Sequence, residues 1–212
     1  MVLTMPAALD TRPIRGEARR RLLDAAVDVI RRQGLSATTV DDLCRAAGVT
    51  KGAFFHHFES KEALAVEAAR HWTHRTGALF AAAPYHEHAD AASRVLAYLD
   101  LRADLVAGPI ESFTCLVGTM VQESFATHPA VRDACAASMF GHAATLESDL
   151  AEALAAAGSD VDAAGLAAHI QGVLQGSFIL SKAADDPQVA RDSIAHLRRY
   201  VAGLIHQQPT GA

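Results

Sequence analysis

Two short amphipathic patterns meet at a glycine in the first quarter of the chain. In the first pattern, Val40, Leu43, Cys44 and Ala47 recur at i, i+3, i+4 and i+7. This spacing places small and apolar side chains on one face of a helix. Gly48 follows directly and supplies the backbone freedom that a tight turn needs. The pattern therefore predicts a short helix that ends in a turn.

The second pattern begins at Thr50, a candidate N-cap. Phe54 and Phe58, at i and i+4, would bury one face of this helix. Lys51 and Ala53 lie at its start and are basic or small, so the backbone can approach a DNA groove while the lysine reaches a phosphate or a base edge. Together the two patterns predict a helix-turn-helix, although a compact helical turn in a core is the alternative.

Helical periodicity continues along the rest of the chain, with glycine and proline between the segments. We predict an all-α protein of about nine helices. Besides the two helices of the helix-turn-helix, the expected ranges are 13–33, 61–83, 90–107, 111–126, 129–158, 162–184 and 187–206.

The run AAGVTKGAFFHHFESKEAL, which occupies residues 46–64, resembles the TetR (tetracycline-repressor) family of bacterial transcription regulators. It has the family's alanine-glycine-valine turn, its hydroxyl-lysine-glycine helix start, its aromatic cluster and its following Ser-Lys-Glu. Phe55 and His56 depart from the tyrosines that the family usually has there. A contact from a hydroxyl to phosphate is therefore absent at Phe55, and His56 is expected to take over part of that role.

This resemblance implies an N-terminal three-helix head joined to a larger C-terminal helical domain for ligand binding and dimerisation. The expected division is a flexible arm at 1–12, a DNA-binding domain at 13–60 and a ligand-binding and dimerisation domain at 61–212. It further implies a repressor that binds a near-palindromic double-stranded DNA operator as a homodimer and is released by a small-molecule inducer. A dimer is also expected because one helix-turn-helix reads too little DNA to be selective.

The candidate DNA contacts follow from the motif and from the family. We expect base contacts from Lys51, Ala53 and His56. We expect phosphate contacts from Thr39, Thr50, His57 and Lys61.

Large side chains on the central and C-terminal helices are candidates for an inducer pocket and a dimer interface. For each one, core packing is the alternative. The pocket candidates are Phe113, Leu116, Met120, Phe125, Met139, Phe140, His169 and Phe178. The dimer candidates are Ile170, Leu174, Phe178, Ile194, Leu197 and Val201.

The distribution of charge changes the interpretation of the net charge of −5. Residues 1–60 contain nine Lys or Arg against seven Asp or Glu, so the excess of acid lies in the remainder of the chain. Phosphate attraction depends on local clustering, so an acidic body is compatible with DNA binding.

The three cysteines lack the spacing of disulfides or zinc ligands, which fits a reducing cytoplasm. We predict no cofactor, no metal, and no signal peptide or apolar run long enough to cross a membrane. A small helical enzyme remains a remote alternative, because no catalytic motif is present. Cys115 is a candidate redox residue, and a sensor of electrophiles or oxidants acting through Cys115 is the alternative function.

Overall fold

The computed structural model describes residues 16–206, and within that range the secondary structure is entirely helical. This confirms the all-α prediction. The predicted arm at 1–12 and the start of the first predicted helix at Pro13 lie outside the described residues. The helices are α1 (Glu17–Gln33), α2 (Val40–Ala47), α3 (Lys51–His57), α4 (Lys61–Ala81), α5 (Ala91–Asp104), α6 (Ile110–Phe113), α7 (Leu116–Ser124), α8 (Pro129–Ala144), α9 (Glu147–Ala156), α10 (Ala163–Ala184) and α11 (Gln188–Ile205).

Two of the predicted helices are each divided in the structure. The segment predicted at 111–126 is interrupted at Thr114 and Cys115, which have extended backbones, and it forms α6 and α7. The segment predicted at 129–158 is interrupted near Thr145, whose hydroxyl donates to the carbonyl of His142 at 2.7 Å. Threonine side chains that bond to nearby carbonyls compete with the helical pattern. The apolar spacing continues across both breaks, so periodicity alone did not reveal them.

The turn between α2 and α3 depends on Gly48, which adopts the left-handed conformation with φ 61°. Its carbonyl accepts a hydrogen bond from Nη2 of Arg21 at 3.1 Å. A Cβ at this position would lie 2.4 Å from that nitrogen. The backbone angle therefore requires glycine here, whereas the Arg21 guanidinium is the end of a flexible side chain and can move aside.

The first of two hydrophobic clusters joins the head to the body. Leu22, Leu43, Phe54 and Leu64 are completely buried in it. The same cluster continues without a break into α7 and α8, where its members are Leu116, Val117, Met120, Val131 and Cys135. The division at residue 60 stays a prediction, and the buried cluster extends across it.

The second cluster is formed by α5, α9, α10 and α11 and corrects the predicted dimer interface. All six predicted interface residues are buried within this cluster, on the faces that α10 and α11 turn toward each other and toward the rest of the domain. They are unavailable to a second copy for that reason. The six are Ile170, Leu174, Phe178, Ile194, Leu197 and Val201.

Helix α10 corrects a second expectation. It is long and apolar enough to cross a membrane by length and composition, whereas the sequence analysis expected no such segment. In the fold it packs against α8, α9 and α11. Length and composition alone are weak evidence for a membrane span, because the core helix of a soluble protein meets the same criteria.

Candidate DNA interface and ligand cavity

The N-terminus of α2 is fixed by a reciprocal capping box. Thr39 Oγ1 accepts a hydrogen bond from the backbone N–H of Asp42 at 3.1 Å, and the carboxylate of Asp42 accepts from the Thr39 N–H at 3.1 Å. The Thr39 hydroxyl also donates to this carboxylate at 2.7 Å. These bonds from Thr39, with a smaller contribution from Arg45, lower the pKa of Asp42 to about 2. The hydroxyl hydrogen of Thr39 is thus already used, which leaves its oxygen without a free donor for phosphate.

Helix α3 presents the short and basic face that the motif predicts. Thr50 Oγ1 accepts from the Ala53 N–H at 3.1 Å and caps the helix, while Phe54 is fully buried beneath it. Lys51 and His56 are exposed. Lys51 Nζ pairs with Asp41 at 2.9 Å, and the pKa of Lys51 is raised by that hydrogen bond and charge. This lysine is a surface cation that can exchange an exposed carboxylate for a phosphate or a base.

The aromatic cluster that follows is divided between solvent and core. Phe55 is 57% exposed, and Phe58 is buried. His57 is half-buried, and burial, His56 and Arg19 together lower its pKa. A lowered pKa favours the neutral ring, so a phosphate contact from His57 would be a hydrogen bond rather than an ion pair.

Lys61 has a different role from the predicted one. Its Nζ lies 2.9 Å from the carbonyl oxygens of Leu35 and Thr38 and 3.4 Å from that of Ser36. An ammonium group has three N–H donors, and here all three face backbone carbonyls. Lys61 therefore anchors the start of α4 to the loop between α1 and α2, and the prediction of a free phosphate contact is corrected to a structural role.

Two exposed arginines beside the motif were not among the predicted contacts. Arg21 on α1 donates to the turn at Gly48, and Arg45 on α2 pairs with Asp42 at 2.9 Å. Arg21 belongs to a run of three arginines in α1, and charge runs on a first helix are usually just solvated. The folded turn brings Arg21 to the motif, and sequence distance conceals that proximity.

A cavity of about 270 Å³ lies between α1, α4, α5, α7, α8 and α10. Phe113, Met139 and Phe178 line it, as does Cys115. Three of the eight predicted pocket residues therefore lie where they were expected.

The other five predicted pocket residues lie elsewhere, so their assignment is corrected. Leu116 and Met120 are buried in the first hydrophobic cluster and do not line the cavity. Phe125 and Phe140 are 62% and 67% exposed. His169 is on the outer face of α10, with its ring centroid 5.6 Å from that of Tyr200. The sequence shows that these side chains are large, but it does not show which neighbour each one packs against.

The polar side chains that line the cavity were not predicted from the sequence. They come from five different helices, and no local spacing connects them. They include Arg31, Arg75, Arg102, His142, Gln171 and Gln175.

A hydrogen-bonded cluster forms one end of the cavity. The Tyr98 hydroxyl is 2.9 Å from Nε2 of His142, and Arg102 Nη1 donates to the Tyr98 oxygen at 3.2 Å. Burial, assisted by the charge of Arg102, lowers the pKa of His142 to about 4. The imidazole is therefore neutral at pH 7. Because the donor Arg102 Nη1 also faces His142 Nε2, this nitrogen is assigned as the acceptor of a hydrogen bond from the Tyr98 hydroxyl.

Cys115 is the only one of the three cysteines that reaches the cavity. It is partly buried and caps α7, where its Sγ accepts from the Gly118 N–H at 3.5 Å. Cys44 and Cys135 are buried, and burial raises the pKa of Cys135 to about 12. A thiol in an apolar interior resists ionisation, so these two cysteines are expected to be inert.

The exposed second helix of the motif, the capped turn and the helical body with its own cavity define a helix-turn-helix regulator with a larger helical domain. Two family models agree with this class. Residues 22–68 match the model described as bacterial regulatory proteins of the tetR family. Residues 91–197 match the model of the tetracyclin repressor-like C-terminal domain. The chain belongs to the TetR family.

Curated relatives match a part of the chain. The HTH-type transcriptional repressor KstR2 of Rhodococcus jostii is 44% identical over 68 residues, which are 32% of this chain and 33% of that protein. The HTH-type transcriptional regulator SrpR of Pseudomonas putida is 49% identical over 45 residues, 21% of each chain. The alignments therefore span a third or less of the length of these two relatives.

Solved structures resemble nearly the whole chain. A TetR-family transcriptional regulator from Agrobacterium tumefaciens has a TM-score of 0.75 at 17% identity, over 88% of this chain and 97% of that one. The reduced form of E. coli NemR has a TM-score of 0.71 at 21% identity, over 92% and 100%. At these identities the likeness establishes the fold. With the family models, it confirms the prediction of a TetR-type transcription regulator rather than an enzyme.

The low pKa of His142 predicts a loss of stability in acid. The unfolded chain binds a proton at this histidine near pH 6.5, whereas the folded protein binds it only near pH 4. The free energy of unfolding should therefore decrease as the pH falls through this interval, by up to about 3 kcal/mol from His142 alone.

Urea unfolding between pH 4 and 7.5 measures this dependence. His142→Gln retains a hydrogen-bond acceptor without the titrating group and should flatten that part of the profile. Profiles of equal slope for the wild type and the variant would show that His142 does not carry the effect.

Proposed function

We propose that the protein is a repressor that binds a near-palindromic operator as a homodimer and leaves it when a small molecule fills the cavity. The observation that carries this proposal is the position of α1. It packs against α2 and α3 in the head, and its residue Arg31 lines the cavity in the body. One rigid helix thus contacts both the DNA-reading unit and the candidate sensor.

Contacts near Arg31 support transmission of a signal from the cavity to the head. Arg31 Nε donates to the Thr114 carbonyl at 2.7 Å, in the break between α6 and α7. The backbone N–H of Ser36, just after α1, donates to Glu123 on α7 at 2.6 Å. A ligand that moves α6 or α7 would therefore shift the end of α1. Couplings of roughly 1–3 kcal/mol are typical of allosteric pairs and would change operator affinity about 5- to 150-fold.

In the proposed complex, the two α3 helices of a dimer enter successive major grooves of DNA, about 34 Å apart. Lys51, Ala53 and His56 are proposed to face base edges because they lie on the accessible side of α3. Thr50 and His57 are proposed to face phosphates, with the exposed Arg21 and Arg45 as further cations. Thr39 is instead proposed to act as the cap of α2, because its hydroxyl already donates to Asp42.

The outer face of α10 is the proposed dimer surface. Gly165, Ala168 and Gly172 are exposed there at helical spacing, followed by Ile179 and Leu180, which are 46% and 56% exposed. Small residues allow another helix to approach closely, and the exposed aliphatic pair gains from being covered. On α11, Ala195, Tyr200 and Gly203 form a neighbouring exposed face. These residues replace the buried ones predicted from the sequence.

A matched pair of lysine substitutions tests the DNA proposal. Lys51→Met should weaken binding to the protein's own promoter region and reduce the slope of log affinity against log salt by about 1, because one phosphate or base contact is lost. Its effect on stability should be small, since its ion pair with Asp41 is exposed. Lys61→Met should instead lower the free energy of unfolding by about 1–3 kcal/mol, because it removes a charged donor from three carbonyls.

Gel-shift titrations at several salt concentrations and urea unfolding give the two readouts. An unchanged salt slope in Lys51→Met would contradict the assigned contact. A fully stable Lys61→Met that loses DNA affinity would return Lys61 to the phosphate role.

If the outer face of α10 forms the dimer, a glycine-to-glutamate substitution should disrupt the dimer on α10 and leave it intact on α8. A Cβ at Gly172 meets no protein atom within 4 Å, and the same holds for Gly141 on α8. Gly172→Glu should therefore leave the protomer folded but block the close approach of a second α10. Gly141→Glu, on a face outside the proposed interface, should leave the dimer intact.

Light scattering after size-exclusion chromatography, with circular dichroism as a check on folding, measures the oligomeric state. A Gly172→Glu protein that remains dimeric at micromolar concentration would remove α10 from the interface. Dissociation of both variants would contradict the choice of this face.

A second candidate function is sensing of electrophiles or oxidants through Cys115. The observation in its favour is that Cys115 alone among the cysteines lines the cavity. N-ethylmaleimide added to the native protein should then modify Cys115 first and release the operator. Cys115→Ser should keep operator affinity and lose this response, whereas Cys44→Ser serves as the matched control. Release that persists in Cys115→Ser would exclude the mechanism.

A further inference from the structure

The cavity has an unbalanced charge. Three of its lining residues are arginines, and neither aspartate nor glutamate lines it. His142 is neutral because burial holds its pKa at about 4. The remaining lining combines aromatic and aliphatic side chains with two glutamines, three hydroxyl side chains and Cys115. Such a cavity favours a ligand that is largely apolar and carries negative charge.

Of the three lining arginines, Arg102 is the one that, within residues 16–206, has neither a carboxylate partner nor a hydrogen bond from Nε. Its guanidinium carbon lies 5.3 Å from the ring centroid of Phe80 and 5.9 Å from those of Tyr98 and Phe178. Nη1 donates to Tyr98 and lies 3.4 Å from His142 Nε2. Within residues 16–206, Nε and Nη2 of Arg102 donate no hydrogen bond, and no carboxylate lies within 4 Å of this side chain.

Two other arginines of the same domain illustrate the usual arrangement. Arg94, two turns earlier on α5, donates to Asp149 at 2.9 Å and lies 3.3 Å from Glu152. Arg198 on α11 binds both carboxylate oxygens of Asp100, at 2.6 and 3.0 Å. Each therefore has a counter-ion within the protein. Arg102 differs in that it directs its charge to aromatic rings at the wall of a cavity.

The unused donors of Arg102 have the geometry of a carboxylate site. A guanidinium offers parallel N–H groups that match the two oxygens of a carboxylate, and a desolvated, aromatic surrounding strengthens such a pair. Arg31 and Arg75 add positive potential, but the Nε of Arg31 is already used and Arg75 has a carboxylate nearby. Arg31 donates to the Thr114 carbonyl, and Arg75 lies 3.5 Å from Asp24.

The size of the cavity limits the rest of the ligand. A dry cavity of about 150 Å³ accommodates a benzene ring. The volume of about 270 Å³ found here therefore corresponds to a molecule of roughly two rings or an equivalent branched chain.

We propose that the cavity binds an organic carboxylate of about this size, with its carboxylate on Arg102 and its apolar part against Phe113, Met139 and Phe178. Only the identification of this ligand as the inducer rests on the proposed function. Carboxylate binding itself does not depend on operator release. Arg102 is thus the residue that sets the preference for an anion.

Matched pairs of probes test this preference without DNA. Benzoate, 4-cyclohexylbutanoate and 2-naphthoate are each compared with the corresponding primary amide, which has nearly the same shape and no charge. Isothermal titration of the full chain at pH 7.5 measures the affinities. At least one carboxylate should bind ten-fold or more tightly than its amide.

Variants identify the residue responsible. Arg102→Gln should abolish the advantage of the carboxylate and leave the affinity of the amide within about three-fold. Arg132→Gln, which removes an exposed cation from α8 and changes the net charge equally, should keep the advantage. Arg102→Met retains the apolar stem among the rings and replaces Arg102→Gln if circular dichroism shows the latter to be unfolded.

The outcomes separate the two proposals. If no carboxylate binds more tightly than its amide, or if the advantage persists without Arg102, the carboxylate site is overturned. If a carboxylate binds through Arg102 but leaves the operator complex intact, the carboxylate site stands and the proposed release mechanism fails.

Discussion

Burial of α1 on two sides is the constraint on which the rest of the structure depends. Leu22 and Ile30 are completely buried, and the cluster around them includes Leu43 and Phe54 of the head together with Leu116 of α7. A helix enclosed in this way moves as a rigid body, because packed cores shift between discrete arrangements instead of deforming continuously. The position of the recognition helix is consequently determined by how α1 sits on the body as well as by contacts inside the head.

Polar contacts give this packing a definite register. Lys61 connects the beginning of α4 to the loop after α1, and Arg21 connects α1 to the turn at Gly48. Each bond uses a charged donor on a backbone carbonyl, and such bonds are stronger than neutral ones. They link three helices that hydrophobic contact alone would allow to slide. Charged side chains of the head therefore also fix its internal geometry, in addition to any attraction that they have for DNA.

The sequence predicted the structure best where neighbouring residues alone determine the local conformation. Thr39, Gly48 and Thr50 are close in the chain, and each acts on its immediate neighbours, so the helix-turn-helix was predictable. Helix breaks at Thr114 and Thr145 were not, because the apolar spacing continues through them. Residues such as Ile170 and Leu197 were recognised as apolar, but periodicity does not distinguish a face that packs inside the protomer from one that meets a second copy. The cavity shows the same limit, since Arg31, Arg102 and His142 come from distant segments and converge only in the fold.

The continuity of the first hydrophobic cluster has a consequence for engineering and for evolution. Members of this family differ greatly in their sensory domains, and exchange of heads between them is an obvious route to new regulators. Here Val117, Met120 and Cys135 complete the core beneath the head, so a transplanted head would meet a surface shaped for a different partner. A functional chimera needs the matching face of α7 and α8 to be transferred as well. The true boundary for recombination is therefore a three-dimensional surface, and no single position in the chain separates the two parts.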